Sequence, residues 1–401
     1  MIPKQIIYPI DYSKLLGTSD QAAAENFQAN FSHYIAPSSF YLPLGRARAG
    51  IYLFVKRFVD NGRKKVILSP YTIPDVINMV IFAGGLPVFV DALPNSTNVD
   101  TNQLAELIDD QTACVMITHY HVNQNEYRNI VSLCRQRDVK LFEDCAISLG
   151  GQIDGETVGL GSAGGVFSLS SFKFLNFIWG GVLFTRQQPL YHSCKDEVSQ
   201  WPRLRRRDYI PALVRTAIYD FSTRPWVYRL LTAPLLRYQQ RQLDQPVMTK
   251  SVRIESSSLD RTLTTQPHGV AFAEWNHKFE GVQSYLSHRR AIASVYAQNF
   301  ADRMVAKETA PAVIASSCFV NYPIVVPAAR RNVIYKRLLL AGYDVGLSLY
   351  PNVHEHPSFK GYAGYSNHIG QLVRSVITLP THPLVTVAYA ESLTHQLLAL
   401  L

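Results

Sequence analysis

One stretch constrains the fold more than any other. A short apolar strand, Val139-Lys140-Leu141-Phe142, ends in two acids, Glu143-Asp144, and a glycine-rich passage follows (Gly150, Gly151, Gly155, Gly159, Gly161, Gly164, Gly165). Open α/β sheets bind their ligands at the carboxyl ends of strands, and glycines suit tight turns and close backbone approach. A second short strand, Gly165-Val166-Phe167-Ser168, leads to Lys173 among Phe172, Phe174, Leu175, Phe177, Ile178 and Trp179. Burial disfavours a charged amine and lowers its pKa, which makes a lysine nucleophilic towards a carbonyl. The alternatives are a lysine snorkelling along a surface helix and an aspartate capping one. Aromatic neighbours on both sides of Lys173 speak against the first; the second is compatible with a ligand role.

The flanking sequence alternates short strands with helices. Lys65–Leu68, Leu86–Asp91 and Ala113–Ile117 read as strands. Ser19–His33, the stretch from Leu44 to about Val59, Gln103–Ile108 and Glu126–Arg137 read as helices. Such alternation implies a mostly parallel sheet with right-handed crossovers. Further on, a long helix is expected over Gly269–Phe300, a strand over Phe319–Val326, a helix over Ala328–Ala341, a turn into a strand at Tyr343–Gly346 and a last helix over Thr386–Leu400. The expected organisation is an N-terminal arm (1–35), a large domain (36–260), and a linking helix with a smaller α+β C-terminal domain (261–401).

With 401 residues, 47% of them hydrophobic, the chain can bury a large core. The most apolar run, Val76–Val90, is broken by Asn78, Gly84, Gly85 and Pro87, so it is too punctuated to span a bilayer. The N-terminus shows no apolar secretory core. Five cysteines without paired spacing point to reduced thiols and a cytoplasmic protein. A net charge of +9 favours anionic partners.

The whole string Glu143-Asp144-Cys145-Ala146-Ile147-Ser148-Leu149-Gly150, then Phe167-Ser168-Leu169-Ser170-Ser171-Phe172-Lys173, then Gly180-Gly181, resembles the DegT/DnrJ/EryC1/StrS family of pyridoxal-phosphate (PLP) sugar aminotransferases. The resemblance implies a fold type I PLP-dependent transferase. By position, Asp144 pairs with the pyridinium nitrogen, Ser168 holds the phosphate and Lys173 carries the cofactor. Ala47, Arg48 and Ala49, at the start of a helix, match the family's phosphate cradle; helix N-termini suit anions. Arg46 or Arg48 reads an anionic substrate group in the same scheme.

Six positions depart from the pattern or stay open. Ile73 stands where the family stacks an aromatic on the ring, and Tyr71 is a candidate to take that over. Ile147 replaces a glutamine and Trp179 a glutamate, so the site is expected to be more apolar than usual. His119 and His354 are further candidates at the substrate side. His354, His356 and His382 lack a zinc arrangement, so no metal is expected. The family's partner-subunit phosphate loop is not matched at Thr264-Thr265-Gln266.

The resemblance implies a homodimer that transfers an amino group, from glutamate in most relatives, to a keto group of a nucleotide-linked sugar bound for glycans or natural products. A dehydratase-like reaction on the same scaffold is the first rival, although dehydratase relatives carry histidine where this chain has Lys173. A membrane-surface or regulatory protein that binds PLP poorly is the second. Its motive is the segment Trp201–Arg241, which carries nine arginines against Asp208 and Asp220. Apolar residues recur there at helical spacing (Ile210, Leu213, Val214; Val227, Leu230, Leu231), and prolines at 202, 211, 225 and 234 are expected to cut it into short helices. Basic amphipathic helices can lie in a membrane interface; two helices packed on the body with a solvated basic face are the plainer reading. No recognition module accompanies the charge, so nucleic acid is not expected.

Overall fold

The computed structural model describes residues 10–11, 20–60, 62–121, 124–170, 173–222, 224–227, 230–231, 234, 263–300 and 311–401. The expectations resting on residues 1–9, Phe172, Arg229, Arg237, Arg241 and the Ser256–Ser258 linker lie outside them.

The chain runs α1 (Asp20–Tyr34), β1 (Phe40–Leu44), α2 (Ala47–Phe58), β2 (Lys65–Leu68), α3 (Pro74–Phe82), β3 (Leu86–Phe89), α4 (Thr101–Leu107), β4 (Thr112–Thr118), α5 (Gln124–Gln136) and β5 (Lys140–Asp144). A small hairpin, β6 (Gln152–Ile153) and β7 (Glu156–Thr157), precedes β8 (Gly165–Ser168), β9 (Gly181–Thr185), α6 (Gln188–Ser199) and α7 (Arg206–Ser222). Seven strands form one sheet in the order β1-β9-β8-β5-β4-β2-β3. Only β9 runs against the rest, pairing antiparallel with β1 and β8. The inner strands are apolar on both faces, as β4 (Thr-Ala-Cys-Val-Met-Ile-Thr) illustrates, because helices cover both sides of a parallel sheet.

Beyond the sheet the sequence expectations needed correction in three places. The expected long helix is two, Gly269–Lys278 and Val282–Phe300, broken by a 3₁₀ turn at Phe279–Gly281. A Cβ on Gly281 would press on the Phe174 ring at 3.1 Å, so the break lets the chain pass that ring. The first helix packs on α1, where Trp275 and Phe279 meet Phe27. α7 runs through Pro211 instead of stopping there. The carbonyl that loses its partner is Arg207's, in an exposed first turn where water can serve it. At Gly346 there is an isolated bridge to Thr378, not a strand.

The C-terminal core is built on an antiparallel pair, β10 (Asn321–Val325) and β11 (Val376–Pro380), covered by the helices Val282–Phe300, Ala328–Ala341 and Val387–Leu398. Asp91, just past β3, ties it to the sheet. Its carboxylate accepts the His368 N–H at 2.8 Å and the Ile369 N–H at 3.0 Å, at the start of the helix Asn367–Ser375. Phe89 adds backbone bonds to Ala363 and Tyr365, both 2.9 Å. The carboxyl ends of β2, β4 and β5 therefore face the loops of the C-terminal core.

Candidate active site

Glu143 and Asp144 end β5, and consecutive strand residues face opposite ways. Glu143 turns into a sealed network: its carboxylate meets His119 Nε2 at 2.6 Å, accepts the Tyr127 hydroxyl at 2.8 Å and accepts the Gly159 N–H at 2.6 Å. Gly159 sits at φ +95°, and a Cβ there would lie 2.4 Å from the Phe184 ring, so only glycine brings that N–H in. His119 is thus held by an acid at its back, and the Ser148 hydroxyl donates to its carbonyl. His119, Glu143 and Cys145 bring ligand-type atoms within 4.8 Å of one another. Burial pushes the Cys145 thiol well up, so it stays protonated, and the acid is already spent on three donors.

Asp144 is also buried. Its carboxylate accepts the Ala146 N–H at 3.0 Å. Burial pushes its pKa up, and the Ala146 N–H, Lys173 and His119 pull it back. Lys173 stands half-buried after β8, its backbone fixed to the Ser170 carbonyl at 2.9 Å. Burial brings its amine down to about 8; Asp144 and Cys318 oppose that, and Arg289 adds to it.

Ser168, at the end of β8, lies 3.1 Å from the Ser170 hydroxyl and pairs with Gly181 across the sheet. A Cβ on Gly181 would lie 2.3 Å from the Ala47 Cα. This close approach brings the N-terminus of α2 beside Ser168. Ala47, Arg48 and Ala49 form its first turn, where the Ala49 N–H donates to the Arg46 carbonyl at 3.2 Å and the positive end of the helix faces Ser168. The Arg48 guanidinium pairs with Asp75 in the first turn of α3, which leaves an anion there to backbone groups. Arg46 precedes the helix and stacks on Trp179, with the guanidinium carbon 4.1 Å from the ring centroid. Two separate substrate candidates are thereby one unit.

Three tyrosines from distant segments gather near Asp144. Tyr71 lies 4.9 Å from Tyr120 and 5.7 Å from Tyr350, centroid to centroid, and Tyr120 lies 5.4 Å from Tyr350. Burial raises the Tyr350 phenol, and the Asp144 carboxylate beside it adds to the shift. Tyr71 is anchored at its hydroxyl, 2.9 Å from the Ser348 hydroxyl and accepting the Leu349 N–H at 3.2 Å. Ile147 packs in the same cluster, together with Leu372 and Val376 of the C-terminal region. Ile73, by contrast, packs on the core beneath α2 and α3 and is not part of this cluster. His354 is also separate: its ring nitrogens bind the Ser366 hydroxyl at 3.1 Å and the Tyr362 carbonyl at 3.0 Å, so neither is left for a substrate.

Arg289 was missed in the sequence. It lies in the helix Val282–Phe300, donates to the Phe319 carbonyl and to Thr381 Oγ1, and stacks over Tyr285 at 4.6 Å. Tyr285 in turn stacks on Phe174, next to Lys173, at 4.1 Å. The signal was present: Arg289 occupies the buried stripe Leu286, Arg289, Ile292, Ala293, Tyr296, where an apolar residue belongs. A groove of about 570 Å³ between α5 and the β6–β7 hairpin lies behind Tyr127. Its Arg128 and Glu156 are engaged in exposed ion pairs with Asp154 and Arg186.

The model of the DegT/DnrJ/EryC1/StrS aminotransferase family matches residues 17–201 and 272–398. A dTDP-3-amino-3,4,6-trideoxy-alpha-D-glucose transaminase of Micromonospora megalomicea subsp. nigra is 26% identical over 92% of this chain and 86% of its own length. In other curated relatives the match spans 44%, 26% and 44% of the relative's length. Among solved structures, the aminotransferase TlmJ from Streptoalloteichus hindustanus superposes with a TM-score of 0.72 at 19% identity, covering 100% of this chain and 99% of the other. A GDP-4-keto-6-deoxymannose-3-dehydratase with a trapped PLP-glutamate geminal diamine gives 0.72 at 14% identity, covering 99% of each chain. At these identities the structural likeness speaks for the fold: that of fold type I PLP-dependent transferases.

Proposed function

The chain belongs to the DegT/DnrJ/EryC1/StrS aminotransferase family, and from that premise we propose that it transfers an amino group from an amino acid, glutamate by preference, to a keto group on a nucleotide-linked sugar. The family's cofactor is PLP, and the residues here fit it. A buried carboxylate at a strand end, an amine with a lowered pKa and a hydroxyl beside a helix N-terminus are the three groups such a molecule needs. When bound, PLP supplies an electron sink for the carbanion at the amino-bearing carbon.

In this reading Lys173 Nζ holds the cofactor and moves the proton of the substrate carbon. With its pKa near 8 the amine has a neutral fraction at neutral pH and regains a proton readily, the balance a general base requires. Asp144 would pair with the ring nitrogen and keep it protonated. The Ser168 hydroxyl and the N-terminal turn of α2, Ala47, Arg48 and Ala49, would bind the phosphate. Arg46 stacked on Trp179 borders the substrate side, where a planar cation suits a sugar-linked phosphate. Tyr71, Tyr120, Tyr350 and Ile147 close the site from the C-terminal side and exclude water. His119 is a positioning residue, its ring fixed by Glu143. A homodimer, as in the family, is part of the proposal.

The observation that carries the reading is the Asp144–Lys173 pair, with burial setting the amine near 8. An amine at Lys173, rather than an imidazole, favours transamination over the dehydratase alternative. The test is the absorption spectrum of the purified chain with PLP, before and after glutamate. A cofactor band that collapses on adding glutamate supports transamination. A band that ignores every amino donor overturns transamination, and no band overturns the cofactor assignment as well.

A further inference from the structure

We propose that the outward face of α7, with the turn after it, docks on an anionic lipid bilayer. Ile210, Val214, Ile218 and Phe221 follow one another at spacings of four, four and three, which is one stripe of a helix. Trp226, Leu230 and Leu231 continue it, and the seven side chains are 49–71% exposed. From Ile210 to Phe221 the stripe runs about 16 Å at the rise of an α-helix. The opposite face, Tyr209, Ala212 and Thr216, is the one that packs on the body. The helix thus buries Tyr209, Ala212 and Thr216, packs Leu213 partly against the core, and leaves Ile210, Val214, Ile218 and Phe221 outside.

Charge identifies the partner. Arg203, Arg205, Arg206, Arg207, Arg215 and Arg224 are all exposed along this segment, and the Arg224 guanidinium lies 5.8 Å over the Phe221 ring. Of its two acids, Asp208 accepts the Arg205 N–H at 2.7 Å and stands 3.7 Å from the guanidinium of that same residue, so it offsets Arg205, and the Asp220 charge acts on Lys278 of the body. An apolar ridge flanked by arginines matches a surface with hydrocarbon beneath anionic headgroups. A second copy docked about a two-fold axis would set arginine against arginine. The stripe also falls in residues 202–271, the span that the family match omits. Tyr209 on the inner face touches Trp179 at 5.5 Å, so docking would hold the Arg46–Trp179 side about one helix diameter, roughly 10 Å, from the headgroups.

The test is flotation of the full chain with vesicles of phosphatidylcholine, alone and mixed with phosphatidylglycerol. The expected result is binding to the mixed vesicles only, weakened by salt. The double variant Val214→Glu/Ile218→Glu should lose it with unchanged melting temperature. Arg215→Ala should weaken it about fivefold, the equivalent of about 1 kcal/mol per basic residue. Absence of flotation, equal flotation on neutral vesicles, or binding untouched by these variants overturns the proposal. So does light scattering that finds the double variant at half the wild-type mass, which would make the stripe a contact between copies.

Discussion

The floor of the site and the helix α7 use the same ingredients in opposite ways. At the floor, charged groups are buried and apolar residues surround them: Asp144, Glu143 and Arg289 are all shielded from water, and burial, more than any neighbour, sets the Lys173 amine near 8. On α7 the charges stand in water and large apolar side chains stand beside them. The two meet at Tyr209, whose ring lies 4.9 Å from Phe177 and 5.5 Å from Trp179. The difference separates two physical demands. A reacting amine needs desolvation, which only a packed interior supplies. A docking face needs apolar area that remains available.

Removing the amine gives the largest expected effect. Lys173→Ala should lower the glutamate half-reaction by about a thousandfold or more, as loss of a proton-transferring base does. Borohydride should no longer fix PLP to the protein, although PLP can still bind through Asp144 and the α2 turn. Covalent labelling that persists in the variant would place the reactive lysine elsewhere.

The second prediction tests whether burial or charge dominates at the floor. Asp144 favours the ammonium form of Lys173 and so raises its pKa against the effect of burial. Capture of PLP requires the neutral amine, so its rate should rise as pH passes through about 8 in the wild type. Without the Asp144 charge, burial acts with less opposition and the amine titrates lower. Asp144→Asn should therefore move the midpoint below about 8, while the half-reaction slows by about 10- to 100-fold with loss of a charged hydrogen bond to the ring. A midpoint that stays at about 8 would mean that the two groups do not face each other.

How much of this was legible in the sequence follows from the distance over which each feature is encoded. Asp144, Ser168, Lys173 and the Gly180-Gly181 pair lie within one local string, and β8 has the bounds read for it, Gly165–Ser168. The tyrosine cluster joins residues 71, 120 and 350, and no periodicity links such positions. His354 stood in a suggestive loop, but only the fold could reveal that Ser366 and Tyr362 occupy its ring. β1, β9 and α6 were not anticipated, because Phe40–Leu44 and Gly181–Thr185 show no polar alternation on a sheet covered from both sides. The orientation of α7 was open for a different reason. Helical spacing of Ile210, Leu213 and Val214 fitted either a membrane interface or a face packed on the body; Leu213 packs partly on the core, Ile210 and Val214 stand exposed, and full burial goes to Tyr209, Ala212 and Thr216, where small residues permit close approach to Phe177 and Trp179.

The sharpest form of the comparison is a pair of substitutions on α7 itself, one on each face. Tyr209 is fully buried, and its hydroxyl accepts the His268 N–H at 3.4 Å. Tyr209→Ala removes an aromatic ring from a packed interior and should cost about 3 kcal/mol or more. Ile218 is 64% exposed, so Ile218→Ser takes little area out of contact with the body and should change stability by less than about 0.5 kcal/mol. Both values come from urea unfolding, with Tyr209→Ala shifting the midpoint and Ile218→Ser leaving it in place. Equal losses would mean that the stripe is covered in solution, since a side chain in water has few contacts to lose. Hydrophobicity alone ranks these two residues the other way round, as isoleucine is the more apolar. The side of the helix on which each one sits reverses that order, and it leaves the outward apolar area of α7 without a role in holding the fold.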